Sequence, residues 1–145
     1  MINFMERAIH QAKQGRYTGG IPIGAVLVHN LSIVGQGYNK RVQYGSAIGH
    51  AEMIALENAG RQKAEFYKQC TMYTTLSPCI MCVGAILLYG IPKVVIGENA
   101  NFVGAEHLLA RHHVQVTVMQ NAECISMLGE FIAANPALWN EDIGI

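Results

Sequence analysis

The stretch CTMYTTLSPCIMCVGAILLYGIPKVVIG, residues 70–97, decides the fold. Its opening, Cys70 to Leu76, is rich in β-branched and aromatic residues and predicts a strand. Pro78 suits the first turn of a helix, where its missing N–H costs nothing. Cys79 to Tyr89 predicts that helix, and Gly90 suits the position just past its end. Val94 to Gly97 then predicts a short buried strand. Strand, helix and strand in this order imply a parallel crossover within one sheet.

Towards the N-terminus, His50 to Ala59 predicts a helix that stops at Gly60. Residues 39–49 are polar and aperiodic, a loop pattern. Ile23–His29 and Ile33–Tyr38 flank Asn30-Leu31-Ser32 and predict an antiparallel hairpin. Residues 2–14 carry Ile2, Met5, Ala8, Ile9 and Ala12 at helical spacing, ending at Gly15. Towards the C-terminus, Ala105–Arg111 predicts one or two helical turns and Val114–Met119 alternates as a strand. Ala122–Ala134 predicts a helix that stops before Pro136. The last ten residues, PALWNEDIGI, read as a tail holding the only tryptophan. The order is α-β-β-α-β-α-β-α-β-α, an α/β pattern with helices on both sheet faces.

Residues 1–145 form one domain on this reading. Size scaling predicts roughly 7,300 Å² of exposed surface against roughly 22,900 Å² unfolded, enough burial for a core without staples. Hydrophobic residues make up 51% and charged residues 14%, which excludes a disordered chain. Ten Lys+Arg balance ten Asp+Glu, so nothing marks a partner rich in phosphate, and nucleic acid is not expected. The most apolar stretch, Cys82–Pro92, is about half of a membrane span. Without a secretory pattern at residues 1–15, the expected compartment is the cytoplasm.

Two motifs carry the chemistry: His50-Ala51-Glu52 and Ser77-Pro78-Cys79-Ile80-Met81-Cys82. Residues three apart share a helix face, so Cys79 and Cys82 can point at one ion. A helix start also favours thiolate over thiol. His50 offers a neutral imidazole from a second helix start. Two thiolates and an imidazole indicate zinc. Three protein ligands leave an open position, the mark of a catalytic ion. Zinc can lower the pKa of a bound water from ~15.7 to about 7. Glu52, two residues after His50, points away from the ion and is expected to shuttle protons.

Other readings exist for each part. A Cys-x-x-Cys pair alone fits a thioredoxin-like redox site, which leaves His50 and Glu52 unexplained. Cys70 or Cys124 could complete a structural four-ligand zinc, but buried apolar thiols describe both. A non-enzymatic zinc module gives Glu52 no role. His10, His29, His107, His112 and His113 read as surface or helix-end residues.

The combined H-x-E…P-C-x-x-C pattern is that of zinc-dependent deaminases. The chain resembles the cytidine deaminase-like zinc hydrolases, and among them the small fungal-type cytosine deaminases. Matching blocks are Gly20-Ile21-Pro22-Ile23-Gly24, Gly45-Ser46-Ala47, TLSPCIMC, AILLYGIP, Gly97-Glu98-Asn99 with Phe102, and Trp139-Asn140-Glu141-Asp142-Ile143-Gly144. The resemblance runs from about Gly19 to Ile143. It implies a three-layer αβα sandwich with a central five-stranded mixed sheet, and a homodimer. It implies one catalytic zinc per chain on His50, Cys79 and Cys82, with Glu52 as proton shuttle. It also implies substrate contacts from Asn39, Ser77, Phe102, Trp139, Asp142 and Ile143. Asn39 and Asp142 would read the pyrimidine edge, and Phe102, Trp139 and Ile143 would close over the ring. Three features depart from the fungal pattern: Ala51 replaces Gly, the turn at Asn30 is shorter, and Val103-Gly104-Ala105 is a residue short.

The implied reaction is hydrolysis of cytosine to uracil and ammonia, in pyrimidine salvage. A guanine, other purine or nucleoside deaminase is the alternative. A tRNA adenosine deaminase fits less well, because Ser46-Ala47-Ile48-Gly49 precedes the His50 motif where Asp-Pro is expected.

Overall fold

The computed structural model describes residues 2–145. The elements are α1 (Phe4–Tyr17), β1 (Gly24–His29), β2 (Ser32–Tyr38), α2 (Arg41–Tyr44), α3 (Ala51–Ala59), α4 (Ala64–Tyr67), β3 (Cys70–Thr74), α5 (Ile80–Tyr89), β4 (Lys93–Ile96), α6 (Glu106–Arg111), β5 (Gln115–Val118), α7 (Ala122–Ala134) and α8 (Pro136–Asp142). The five strands form one mixed sheet in the order β2-β1-β3-β4-β5. β1 runs antiparallel to both neighbours, and β3, β4 and β5 are parallel. β2 therefore points the same way as β3, with β1 reversed between them.

Successive residues of β1 serve opposite sheet faces, as strand geometry requires. Ala25 and Leu27 pack with Ala51, Ala55, Val83 and Ile86 from α3 and α5. Val26 and Val28 pack with Met5, Ala8 and Ile9 of α1 and with Cys124 of α7. The result is helices, sheet, helices: the three-layer αβα sandwich. Each fully buried Leu or Ile in these clusters contributes about 1.5–3 kcal/mol. The exposed surface, 7469 Å², is close to the size-scaling value.

α3 lies unusually near β2. A Cβ at Gly35 would fall 2.2 Å from the Ala55 carbonyl oxygen, and one at Gly37 would fall 2.4 Å from Ile54 Cγ2. The missing side chains let the helix bearing Glu52 sit directly on β2, the strand that leads to Asn39.

Three local features depart from the sequence expectation. The loop at 39–49 contains α2, a single turn closed by Gly45 in the left-handed region at φ 60°. One turn is too short to show periodicity. The short α4 escapes the sequence pattern for the same reason. The tail is helical: Pro136 starts α8 immediately after α7 ends at Ala134. Proline both stops one helix and suits the first turn of the next. The remaining elements match the expected order, with boundaries shifted by a few residues.

Candidate metal centre and active site

The site lies beyond the carboxyl ends of β2, β3 and β4. Ligand crevices of open α/β sheets form at this end. β2 delivers Asn39, β3 leads to the Ser77–Cys79 turn, and β4 leads to the loop bearing Phe102. His50 and Cys79 are the N-cap residues of α3 and α5. Both helix starts therefore aim unpaired N–H groups and partial positive charge at one point, where thiolates are favoured.

The His50 Nδ1 atom lies 3.4 Å from Cys79 Sγ and 3.8 Å from Cys82 Sγ. The three ligand atoms lie within 4.8 Å of one another, and Glu52 is outside the group. One nitrogen and two sulfurs at such spacing fit a tetrahedral zinc with a fourth position open. Cys70 and Cys124 are buried elsewhere as free thiols. Burial pushes Cys70 up to about 11 and Cys124 up to about 12. Neither completes the cluster, and the structural four-ligand reading has no fourth ligand among the described residues.

The electrostatics suit a cation. Hydrogen bonding from Cys82 lowers the Cys79 thiol to about 4 against burial, with His50 assisting. That bond and burial raise Cys82. Burial opposes a charged His50, but Cys79, Asp142 and Glu52 outweigh it and lift the imidazole to about 9. Cys79, Cys82 and His50 Nδ1 would hold a divalent cation here, which would take the place of the protons. Glu52 is 4% exposed, and burial lifts it to about 7 against the pull of His50.

With Nδ1 facing the sulfurs, His50 Nε2 faces Asp142 Oδ1 at 3.5 Å. A carboxylate behind a ligating imidazole fixes its tautomer and orientation. Burial raises Asp142, and His50 is the main opposing influence. Asn39 Nδ2 donates to the same Asp142 oxygen at 2.8 Å. Asn39 Oδ1 accepts from the Arg41 backbone N–H at 3.0 Å. Its amide retains one N–H and one lone pair for a ligand. Next to Asp142, Glu141 meets Arg41 at 3.3 Å. These two links hold α8 to the turn after β2.

A small cavity opens onto the cluster. Its walls include Ile23, Leu76, Phe102, Trp139 and Ile143, with Asn39, Glu52 and Asp142 supplying polar atoms. The Phe102 and Trp139 rings meet edge-on, with centroids 5.7 Å apart. All the residues expected from the sequence line this cavity except Cys82, which is buried behind it. Ser77 lines it too, but its hydroxyl donates to Glu106 at 2.5 Å and accepts from Gly104 N–H at 2.8 Å. Ile23 and Leu76 were not singled out in the sequence; as apolar neighbours of strand ends they carry no signal beyond hydrophobicity. The second role of Asp142, behind His50, was also invisible, because spacing does not reveal contacts across a hundred residues. His10, His107, His112 and His113 are exposed, and His29 stacks on Phe66.

Residues 1–98 match the cytidine and deoxycytidylate deaminase zinc-binding region. The chain belongs to this deaminase family. It is 52% identical over 141 residues to a cytosine deaminase of Candida albicans, covering 97% of this chain and 94% of that one. A tRNA-specific adenosine deaminase of Streptococcus pyogenes is 36% identical over 138 residues, covering 88% and 87%. Among solved structures, guanine deaminase from Nitrosomonas europaea superposes with a TM-score of 0.72 at 22% identity, covering 90% and 83%. A deaminase that edits the wobble position of transfer RNA gives 0.72 at 25% identity, covering 86% and 98%. The first of these structural likenesses concerns the fold alone.

Proposed function

We propose that this protein is a zinc-dependent cytosine deaminase, converting cytosine and water to uracil and ammonia. The carrying observation is a buried carboxylate, Glu52, beside a nitrogen–sulfur–sulfur cluster that opens into a small cavity. The likeness to the Candida cytosine deaminase over nearly the whole chain supports the choice of base. Apolar walls from Ile23, Leu76, Phe102, Trp139 and Ile143 with a few polar atoms from Asn39, Glu52 and Asp142 suit a small planar base.

His50, Cys79 and Cys82 hold the zinc, which supplies an acidified water when bound. Glu52 accepts the proton of the attacking water and delivers it to the ring nitrogen. It then takes the proton left on the oxygen added to the ring and passes it to the departing amine. Asn39 and Asp142 read the polar edge of the ring. Phe102, Trp139 and Ile143 hold its apolar faces, and Ser77 forms part of the wall. Enclosure by α8 excludes bulk water during proton transfer.

Residues 1–145 act as one domain, since the site gathers side chains from Ile23 to Ile143. Two chains pair as a homodimer. α5 carries no charged residue and leaves Ile80 and Leu88, with Gly84 between them, exposed on one stripe. An apolar stripe of this kind marks an interaction surface. Free thiols and a thiolate-bound zinc suit the reducing cytoplasm, the setting for pyrimidine salvage. No helix among the described residues is long and apolar enough to cross a membrane.

Ammonia release from cytosine, cytidine, guanine and adenosine tests this reading. Cytosine is the expected substrate. Activity confined to a nucleoside, a purine or RNA overturns it.

A further inference from the structure

Glu98 is a fully buried carboxylate that does not line the cavity. No lysine or arginine pairs with it among the described residues. Instead, Oε2 accepts from the backbone N–H groups of Ala100 at 2.7 Å and Asn101 at 2.9 Å. Oε1 accepts from Asn101 Nδ2 at 2.8 Å, and that same nitrogen donates to the Ile125 carbonyl on α7 at 2.9 Å. Burying a carboxylate is costly unless such donors surround it. An ordinary surface turn needs no such arrangement.

These bonds fix the first half of the loop between β4 and α6. The second half is fixed separately. Ala105 N–H donates to the Pro78 carbonyl at 3.0 Å, and Gly104 N–H donates to Ser77 Oγ. A Cβ at Gly104 would fall 1.8 Å from the Pro78 oxygen, so the loop lies against the turn that bears Cys79. Phe102 sits between the two anchors. Its ring lines the cavity and meets Trp139 edge-on.

We propose that Glu98 is a positioning residue for base recognition, organising the loop so that Phe102 stands as a fixed wall of the cavity. The proposal rests on the cytosine reading above. It assigns Glu98 no contact with the base and no part in proton transfer. The wall fixes where the ring lies, so loosening it weakens binding of ground state and transition state alike.

Glu98→Gln tests it. Glutamine keeps the size of the side chain but has one acceptor oxygen. If that oxygen serves the two backbone N–H groups, the new NH2 confronts the Asn101 Nδ2 donor. The expected result is a KM for cytosine raised about tenfold with kcat within about twofold, the signature of lost uniform binding. In a Phe102→Ala background the same substitution should leave KM where Phe102→Ala alone puts it, because coupled residues are non-additive. Trp139, the only tryptophan, should also shift its emission to the red without any substrate present. A wild-type KM in E98Q, an equal rise in both backgrounds, or an unshifted emission overturns the proposal. Should E98Q fail to fold, Asn101→Ala cuts only the side-chain ties, and its KM should rise with wild-type Phe102 and not with Phe102→Ala. An N101A enzyme with wild-type KM overturns it as well. Failure of the wild type on cytosine counts against the substrate reading, while the emission shift still reports on the wall.

Discussion

His50, Cys79 and Cys82 come from two helix starts, whereas Phe102, Trp139, Asp142 and Ile143 come from a loop and the final helix. The metal cradle is local in each half: a His and a Glu two apart, and two Cys three apart. The cover is assembled from segments far apart in the chain and held by a few polar links. The proposed chemistry is thus built on two helix starts. The proposed base selection rests on the loop and the final helix, with Asp142 alone also touching a metal ligand, His50.

Experiments can break this division, beginning with the largest effect. Removing zinc with a chelator should abolish deamination and make Cys79 and Cys82 available to iodoacetamide. Cys70 and Cys124 should stay unlabelled, since burial raises both thiols and shields them. Mass spectrometry of the labelled peptides gives the answer, and labelling spread over all four would dissolve the distinction. Glu52→Ala should reduce kcat by about 10³-fold or more while zinc content stays at one per chain. Retained turnover would remove the carboxylate from the cradle's chemistry.

Asp142→Ala sits on the border between the two regions, because it faces both His50 and Asn39. Loss of about 10- to 100-fold in kcat/KM is expected, as for other groups behind a metal ligand. Zinc affinity measured in parallel tells how much of that loss belongs to the metal. Arg41→Ala should have the smallest effect, about fivefold in KM at most. Its partner Glu141 is largely exposed, and such pairs are worth about 0–1 kcal/mol.

The cradle was legible in the sequence because its logic is helical spacing. Cys79 and Cys82 had to share a face, and Glu52 had to diverge from His50. The crossover from β3 through α5 to β4 was legible for the same reason, being a change of hydrophobic period. The cover was not. PALWNEDIGI reads as a tail, and its helix follows from Pro136 and from docking onto the turn after β2. Asn39, Phe102 and Asp142 were picked out by family resemblance, since nothing in their immediate neighbours says what they face. Glu98 was even less visible, as a lone acidic residue in a turn normally belongs to solvent.

α8 also sets an order in time. A chain emerging from the ribosome displays His50, Cys79 and Cys82 well before Trp139 and Asp142 have been synthesised. A chain of that length holds all three side chains of the metal cluster but none of the α8 side chains that line the cavity. The catalyst needs both parts, the metal cradle and the cover that α8 adds to it.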